Sequence, residues 1–278
     1  MSHSADIVLL GTGTPNAEPD RAGSSLAILA GGRPYLVDFG PGVVRQAAAA
    51  HAKGVSELAM PNLTHAFLTH MHSDHTAGYP DLILTPWVLG RREPLQVYGP
   101  AGLASMTEHI TQAYAEDICE RVNGLEPTGD GGVQVDVTEI SPGPIYQDHH
   151  LSVQAFPVRH GPWPAFGFRF STADREIVVS GDTTLTADLA DHYRGCDILI
   201  HEVYSNAGLA GRPEEWQRYH RAVHTSTTQL AEIANQVRPG LLVLVHQLYW
   251  GVSDEELLAE IRQDYDGPVR SGRDLDIF

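Results

Sequence analysis

Three imidazoles and a carboxylate within six positions, His70-Met71-His72-Ser73-Asp74-His75, constrain this 278-residue chain more than any other stretch. Residues 66–69 before them read as the end of a buried strand, an apolar run bounded by turn chemistry. Residues 79–89 after them read as an amphipathic helix. The six therefore sit at a strand-to-helix junction, where side chains converge on one point beyond a sheet edge. His70 and His72 can chelate one cation, while Asp74 and His75 reach a second. An exposed His-rich loop is the bland alternative, but a hydrophobic strand leading into the cluster holds it too rigidly for that.

The length allows a sizeable core, near the upper end of what one domain holds. Strands and helices alternate throughout, so a single α/β domain over 1–278 is expected, with no linker and no low-complexity stretch. No apolar run reaches the length of a membrane span. The first residues lack a basic region, and the apolar run at 7–10 is too short for a signal core, so a cytoplasmic location is expected. Cys119 and Cys196 lie far apart without a CxxC partner, which argues against a disulfide framework and for two small buried apolar residues. The formal charge is −17 with histidines neutral. Screening confines that repulsion to roughly 8 Å at physiological salt, so a small anionic substrate can still bind. A long polyanion normally wants a basic surface, and the only cationic pair of note, Arg91-Arg92, reads as the solvated end of the preceding helix. Nucleic acid is thus disfavoured and a small-molecule substrate expected.

Along the chain, the strand at 7–10 ends in Gly11-Thr12-Gly13-Thr14-Pro15, a tight turn and not a dinucleotide loop, because Pro15 interrupts it and no helix follows. A hairpin at 24–29 and 33–37 crosses Gly31-Gly32, and Asp38-Phe39-Gly40-Pro41-Gly42 turns into a helix at 43–53. A strand at 95–98, one long helix at 101–122 and a polar loop at 126–132 follow. Strands are expected at 133–140, 151–158, 166–170, 176–180, 197–203 and 241–245, and helices at 186–193, 225–237 and 253–265. His160, Asp182 and His246 share one context, each the first polar residue after a strand's apolar run, so all three can line one rim. His201 alternates to the other side of its strand and reads as structural, and His51, His65, His109, His149, His150 and His192 get no ligand role.

The His-x-His-x-Asp-His signature, the Gly-Thr-Gly-Thr-Pro turn and the strand ending in Asp-x-Gly-x-Gly resemble the metallo-β-lactamase superfamily of metal-dependent hydrolases. The resemblance spans Ile7 to His246 and implies a four-layer αββα sandwich. It also implies that His70, His72 and His160 hold one metal, that Asp74, His75 and His246 hold a second, and that Asp182 bridges them. Such a nitrogen–oxygen set suits two divalent ions, zinc first, with manganese or iron as alternatives. Two cations roughly 3.5–4 Å apart lower the pKa of a shared water to about 7, so hydroxide forms at neutral pH, and Asp74 is placed to orient it. Asp38 is either an orienting group for a ligand histidine or a turn residue.

His224-Thr225-Ser226-Thr227, a helix, an apolar strand and then His246 resemble the closing segments of the ribonuclease Z-like branch. There the first of these histidines assists the leaving group; Glu202, in Ile200-His201-Glu202-Val203, resembles the same branch and is expected to contact His224. Two departures stand out. Ribonuclease Z enzymes insert a projecting arm that grips transfer RNA, whereas His160 and Asp182 are only 22 positions apart, and the small hydroxyl residue after the last ligand is Gln247. The resulting expectation is a dinuclear hydrolase of a small ester, a phosphodiester, aryl sulfate, carboxylic ester or lactone. A ribonuclease Z-type endonuclease processing the 3′ end of transfer RNA is the alternative, and a non-hydrolytic metal-binding or iron redox protein the second. Trp163, Phe166, Tyr249 and Trp250 are candidate pocket walls, residues 205–222 a candidate lid, with Tyr204, Trp216 and Tyr219 as further pocket candidates, and a homodimer follows by analogy only.

Overall fold

The computed structural model describes residues 6–126 and 128–278. The first five residues, read above for targeting signals, and Pro127 of the polar loop lie outside the described residues. The chain divides into two compact units: residues 6–11, Pro15–Ile140 and Asp274–Phe278 form the first, and Thr12–Thr14 with Ser141–Arg273 the second.

The first unit is a six-stranded mixed sheet. Its elements are β1 (Asp6–Gly11), β2 (Ser25–Ala30), β3 (Arg33–Val37), α1 (Val43–Ala52), β4 (His65–Phe67), α2 (Ser73–Thr76), α3 (Tyr79–Val88), β5 (Leu95–Gly99), α4 (Leu103–Ala113), α5 (Ala115–Asn123) and β6 (Val135–Glu139). β1, β2 and β3 form an antiparallel meander, and β3, β4, β5 and β6 run parallel. Gly31 and Gly32 both take positive φ, which lets the β2–β3 hairpin close in two residues. Both faces of this meander are buried, Ile7 and Leu9 as fully as Val8 and Leu10, so its strands read as unbroken apolar runs. α3 buries Tyr79, Leu82, Ile83, Pro86 and Trp87, the spacing of one helical face.

The second unit comprises β7 (Gly143–Gln147), β8 (Leu151–His160), β9 (Trp163–Thr172), β10 (Glu176–Val179), α6 (Leu189–Tyr193), β11 (Ile198–Tyr204), α7 (Asn206–Ala210), α8 (Glu214–Val223), α9 (Thr227–Val237), β12 (Leu241–Leu248), α10 (Asp254–Asp264) and β13 (Val269–Ser271). It repeats the plan of the first: β7 to β10 form an antiparallel meander, and β10, β11, β12 and β13 run parallel. The α/β reading and the two comparable halves therefore hold. Among the described residues, no helix is long and apolar enough to cross a membrane.

Four local expectations change. The helix expected at 101–122 is two, broken at Tyr114; α4 buries Leu103 and Thr107, while α5 buries nothing that would keep it coaxial. β7 was not foreseen because Pro144 sits in it; as the outermost strand of its sheet it tolerates a missing N–H. Cys119 is exposed, and only Cys196 is buried.

Arg91 is not solvated but fully buried. Its guanidinium donates to the carbonyls of Leu63 (3.0 Å), Leu82 (2.9 Å), Ile83 (2.6 Å) and Gly132 (3.0 Å), tying a loop, a helix and the stretch before β6 together. Burial lowers its pKa to about 10, so it stays charged at neutral pH. Arg91→Ala strands four buried acceptors and should cost on the order of 3–5 kcal/mol, a drop of roughly 10 °C in the thermal midpoint. Arg91→Lys should recover little of it, because one ammonium cannot match a planar fork. A melt of Arg91→Ala indistinguishable from wild type would show the guanidinium to be dispensable.

Candidate metal centre

In the first unit, β4 stops at Phe67 and the His70–His75 segment turns immediately into the single helical turn α2, capped by His72. Thr76 Oγ1 donates to the His72 carbonyl at 2.9 Å, and the His75 N–H to the same oxygen at 3.1 Å. The turn after β3 braces this loop. Asp38, at φ 59°, accepts from the Thr69 N–H at Oδ1 (2.8 Å) and from the Thr69 hydroxyl at Oδ2 (2.9 Å), and Oδ2 also lies 2.7 Å from His75 Nδ1. The Phe39 N–H donates to the His75 carbonyl, and the Gly78 N–H to the Phe39 carbonyl. The chains pass so closely that a Cβ at Gly40 would meet the Asp74 carbonyl at 2.3 Å, which explains the glycine. Asp38, itself in a turn, thus fixes the ring of His75.

The result is a set of ring nitrogens aimed together. His70 Nε2 and His72 Nδ1 lie 3.1 Å apart, close to the spacing of roughly 3.3 Å between two nitrogens at 2.0–2.1 Å from one tetrahedral ion. His75 Nε2 lies 3.5 Å from Asp74 Oδ2. Because Nδ1 of His75 is committed to Asp38, Nε2 is the atom left to ligate.

In the second unit, Asp182 follows β10 through Gly181, whose φ of 61° makes the sharp turn. Its Oδ2 lies 3.5 Å from His246 Nε2, 3.9 Å from His160 Nε2 and 3.9 Å from His224 Nδ1. His160 closes β8 and sets its Nδ1 2.8 Å from the Val223 carbonyl, again leaving Nε2 to ligate. Burial lowers the His160 pKa, which favours the neutral ring that metal ligation needs. His246 does not end its strand. It lies inside β12 where the register against β11 slips, at φ 45°, and this bulge re-aims its side chain.

His224 caps the end of α8 and is followed at once by the capping box of Ser226 and Gln229 that starts α9. Glu202, 1 % exposed, sits behind it. Its Oε1 accepts from the Thr183 N–H (3.1 Å) and the Thr225 N–H (3.0 Å) and lies 3.3 Å from His224 Nδ1, so one carboxylate joins the Asp182 and His224 loops. Burial, then the charge of Asp182, raises the Glu202 pKa well above the usual carboxylate range. The ligating atoms of His160, Asp182 and His224 fall within 4.8 Å of one another, as do those of Glu202, His224 and His246. Buried imidazoles fixed through Nδ1 and facing buried carboxylates fit a divalent ion.

His201 points away, its Nε2 3.2 Å from the Tyr193 hydroxyl, and is structural as expected. Phe166 is buried in its hairpin, Tyr249 bonds Asp254 through its hydroxyl, and Gln247 donates to the Leu244 carbonyl and to Ser271. The residues read as a lid hold α7 and α8. One residue was missed: His220, whose ring stacks on His224 at 5.5 Å and whose pKa burial lowers to about 4. Its place one helical turn before His224 was the available signal.

Residues 33–247 match the family model described as Beta-lactamase superfamily domain. The chain is 32 % identical over 277 residues to the Ribonuclease Z of Mycobacterium bovis (strain BCG / Pasteur 1173P2), covering 97 % of this chain and 96 % of that protein. It is 35 % identical over 246 residues to the Ribonuclease Z of Mycobacterium sp. (strain KMS), covering 87 % and 84 %. Among solved structures it is similar to the metallo-β-lactamase fold protein YhfI from Bacillus subtilis (TM-score 0.75, 17 % identity, 99 % and 100 % covered). It is also similar to human tRNase Z, short form (TM-score 0.72, 22 % identity, 98 % of each chain). These likenesses show the metallo-β-lactamase fold expected from the sequence.

Asp38→Ala removes the acceptor of His75 and Thr69 and should weaken metal binding 10–100-fold, read by competition with a chromogenic chelator. Unaltered affinity would mean the loop keeps its shape without that carboxylate.

Proposed function

The chain belongs to the ribonuclease Z-like branch of the metallo-β-lactamase superfamily of metal-dependent hydrolases, and on that premise we propose that it cuts a phosphodiester bond of RNA, as a processing endonuclease of transfer RNA 3′ ends. The observation that carries this reading is the near-full-length relation to proteins named Ribonuclease Z. An alignment of 277 positions covering 97 % and 96 % of the two chains leaves no room for an arm-sized insertion in the relative. The short span from His160 to Asp182 therefore does not separate this chain from them. This reading displaces the small-ester expectation, which keeps one observation in its favour: the charge of −17, with Arg91 buried, offers RNA little cationic surface. A small phosphodiester is accordingly the second reading.

His70, His72 and His160 would hold one ion, Asp74, His75 and His246 the other, and Asp182 both, with zinc the ion that the nitrogen–oxygen set suits best. Bound there, two divalent cations acidify water and neutralise charge developing on a phosphate. The protein's own groups do the rest. Asp74, 7 % exposed, is the carboxylate that accepts a proton from the attacking water and sets its direction. His224, with Nδ1 turned to Glu202, has Nε2 to hand a proton to the departing oxygen. Glu202 is a positioning residue, because its bonds to the Thr183 and Thr225 backbone hold His224 and Asp182 in register. Two unpaired cysteines, one exposed, support a reducing compartment such as the cytoplasm.

Purified protein should carry close to two transition-metal ions per chain by elemental analysis; a reproducible value near zero would end the dinuclear reading. Precursor transfer RNA should be cut at its 3′ trailer, and Asp74→Ala should lower kcat by at least 10²-fold with the circular dichroism spectrum intact. If the RNA stays whole while bis-p-nitrophenyl phosphate is turned over, the second reading takes the first one's place.

A further inference from the structure

Helix α8 carries a feature that the metal chemistry leaves unused. Trp216, His220 and the cap residue His224 recur every four positions, so their side chains line one stripe of the helix. Their rings form a column. Trp216 stacks on His220 (5.9 Å between centroids, 27° between planes), His220 on His224 (5.5 Å, 27°), and His224 on His246 (5.7 Å, 24°). Exposure climbs along it, from 2 % at His246 through 9 % at His220 to 45 % at Trp216. Trp250 flanks His220 at 4.5 Å, and Tyr219, also 45 % exposed, stands edge-on to Trp216. His220 Nδ1 is buried without a hydrogen-bond partner, while its ring packs against Trp216, His224 and Trp250.

Two large aromatic side chains side by side in water are a costly surface unless something covers them. They stand at the outer end of a stack whose inner end is the assigned ligand His246. The chain's charge of −17 leaves little of the phosphate grip by which proteins normally hold RNA. Base–aromatic stacking needs no charge and contributes about 1–3 kcal/mol per base.

We propose that Trp216, walled by Tyr219, is a platform on which a nucleobase of the RNA stacks, extending the ring column outward from the metal centre. His220 is the positioning residue that keeps the platform in line with His224. The proposal rests on the RNA reading above and names how that RNA is held.

The test is steady-state cleavage of precursor transfer RNA by the metal-loaded enzyme, alongside the same RNA made abasic at each of the four nucleotides flanking the cut. Product RNA binding, by fluorescence anisotropy, gives a readout without turnover. One abasic position should raise KM about tenfold, within the range for one stacked base. Trp216→Ala should raise KM and product Kd by a similar factor and no longer respond to that abasic position, whereas Trp216→Phe should stay near wild type. If Trp216→Ala binds and cuts like wild type, or if its loss multiplies with the abasic loss, the platform is overturned while the RNA reading stands. If wild type leaves intact precursor uncut, the RNA reading fails and the platform fails with it.

Discussion

One buried carboxylate organises each half of this protein. In the first unit Asp38 takes the N–H and hydroxyl of Thr69 on one side and the ring nitrogen of His75 on the other. It thereby holds both ends of a loop that bears four of the proposed ligands. Removing such an acceptor leaves buried donors unsatisfied and an imidazole free to rotate, so a single side chain sets both the loop's shape and its ligating atoms. Asp38 itself sits in the left-handed region, a strain tolerated because three hydrogen bonds and the Gly40 contact over-determine it.

Glu202 plays the corresponding part in the second unit. It accepts from two backbone N–H groups in different loops and faces a histidine ring nitrogen. The parallel extends to topology, since each sheet joins an antiparallel meander to a parallel stretch. In both, a functional loop leaves the C-terminal end of a strand with a parallel neighbour, at Asp38 after β3 and at Asp182 after β10, where backbone groups no longer bonded within the sheet are open to side-chain acceptors. A carboxylate there satisfies orphan donors and aims an imidazole at once.

The acidic balance of the chain has to be set against its relatives' name. Charge acts on a polyanion through many weak contacts, each screened by salt, while stacking acts through a few dry ones. A protein at −17 that handles RNA would show a shallow salt dependence and lean on rings. The column from His246 to Trp216 has the right character for that, and Arg91, the side chain most suggestive of a basic patch, is spent on carbonyls in the interior.

Sequence alone determined the α/β class, most of the element order and the candidate ligand residues, because those depend on neighbours a few positions away. The His70–His75 spacing, the Gly31-Gly32 turn and the four-residue recurrence at 216, 220 and 224 are all readable in a short window. Asp38 could be named from its turn, but its choice of His75, 37 positions on, could not be decided there. Tertiary structure decided what rests on distant partners: Arg91 buried because Leu63 and Gly132 offer carbonyls, Pro144 in a strand because that strand is outermost, and His246 inside β12 because β11 forces a bulge beside it. Each is a contest between a local preference and a contact made across the chain, and only the folded chain brings the second competitor into reach.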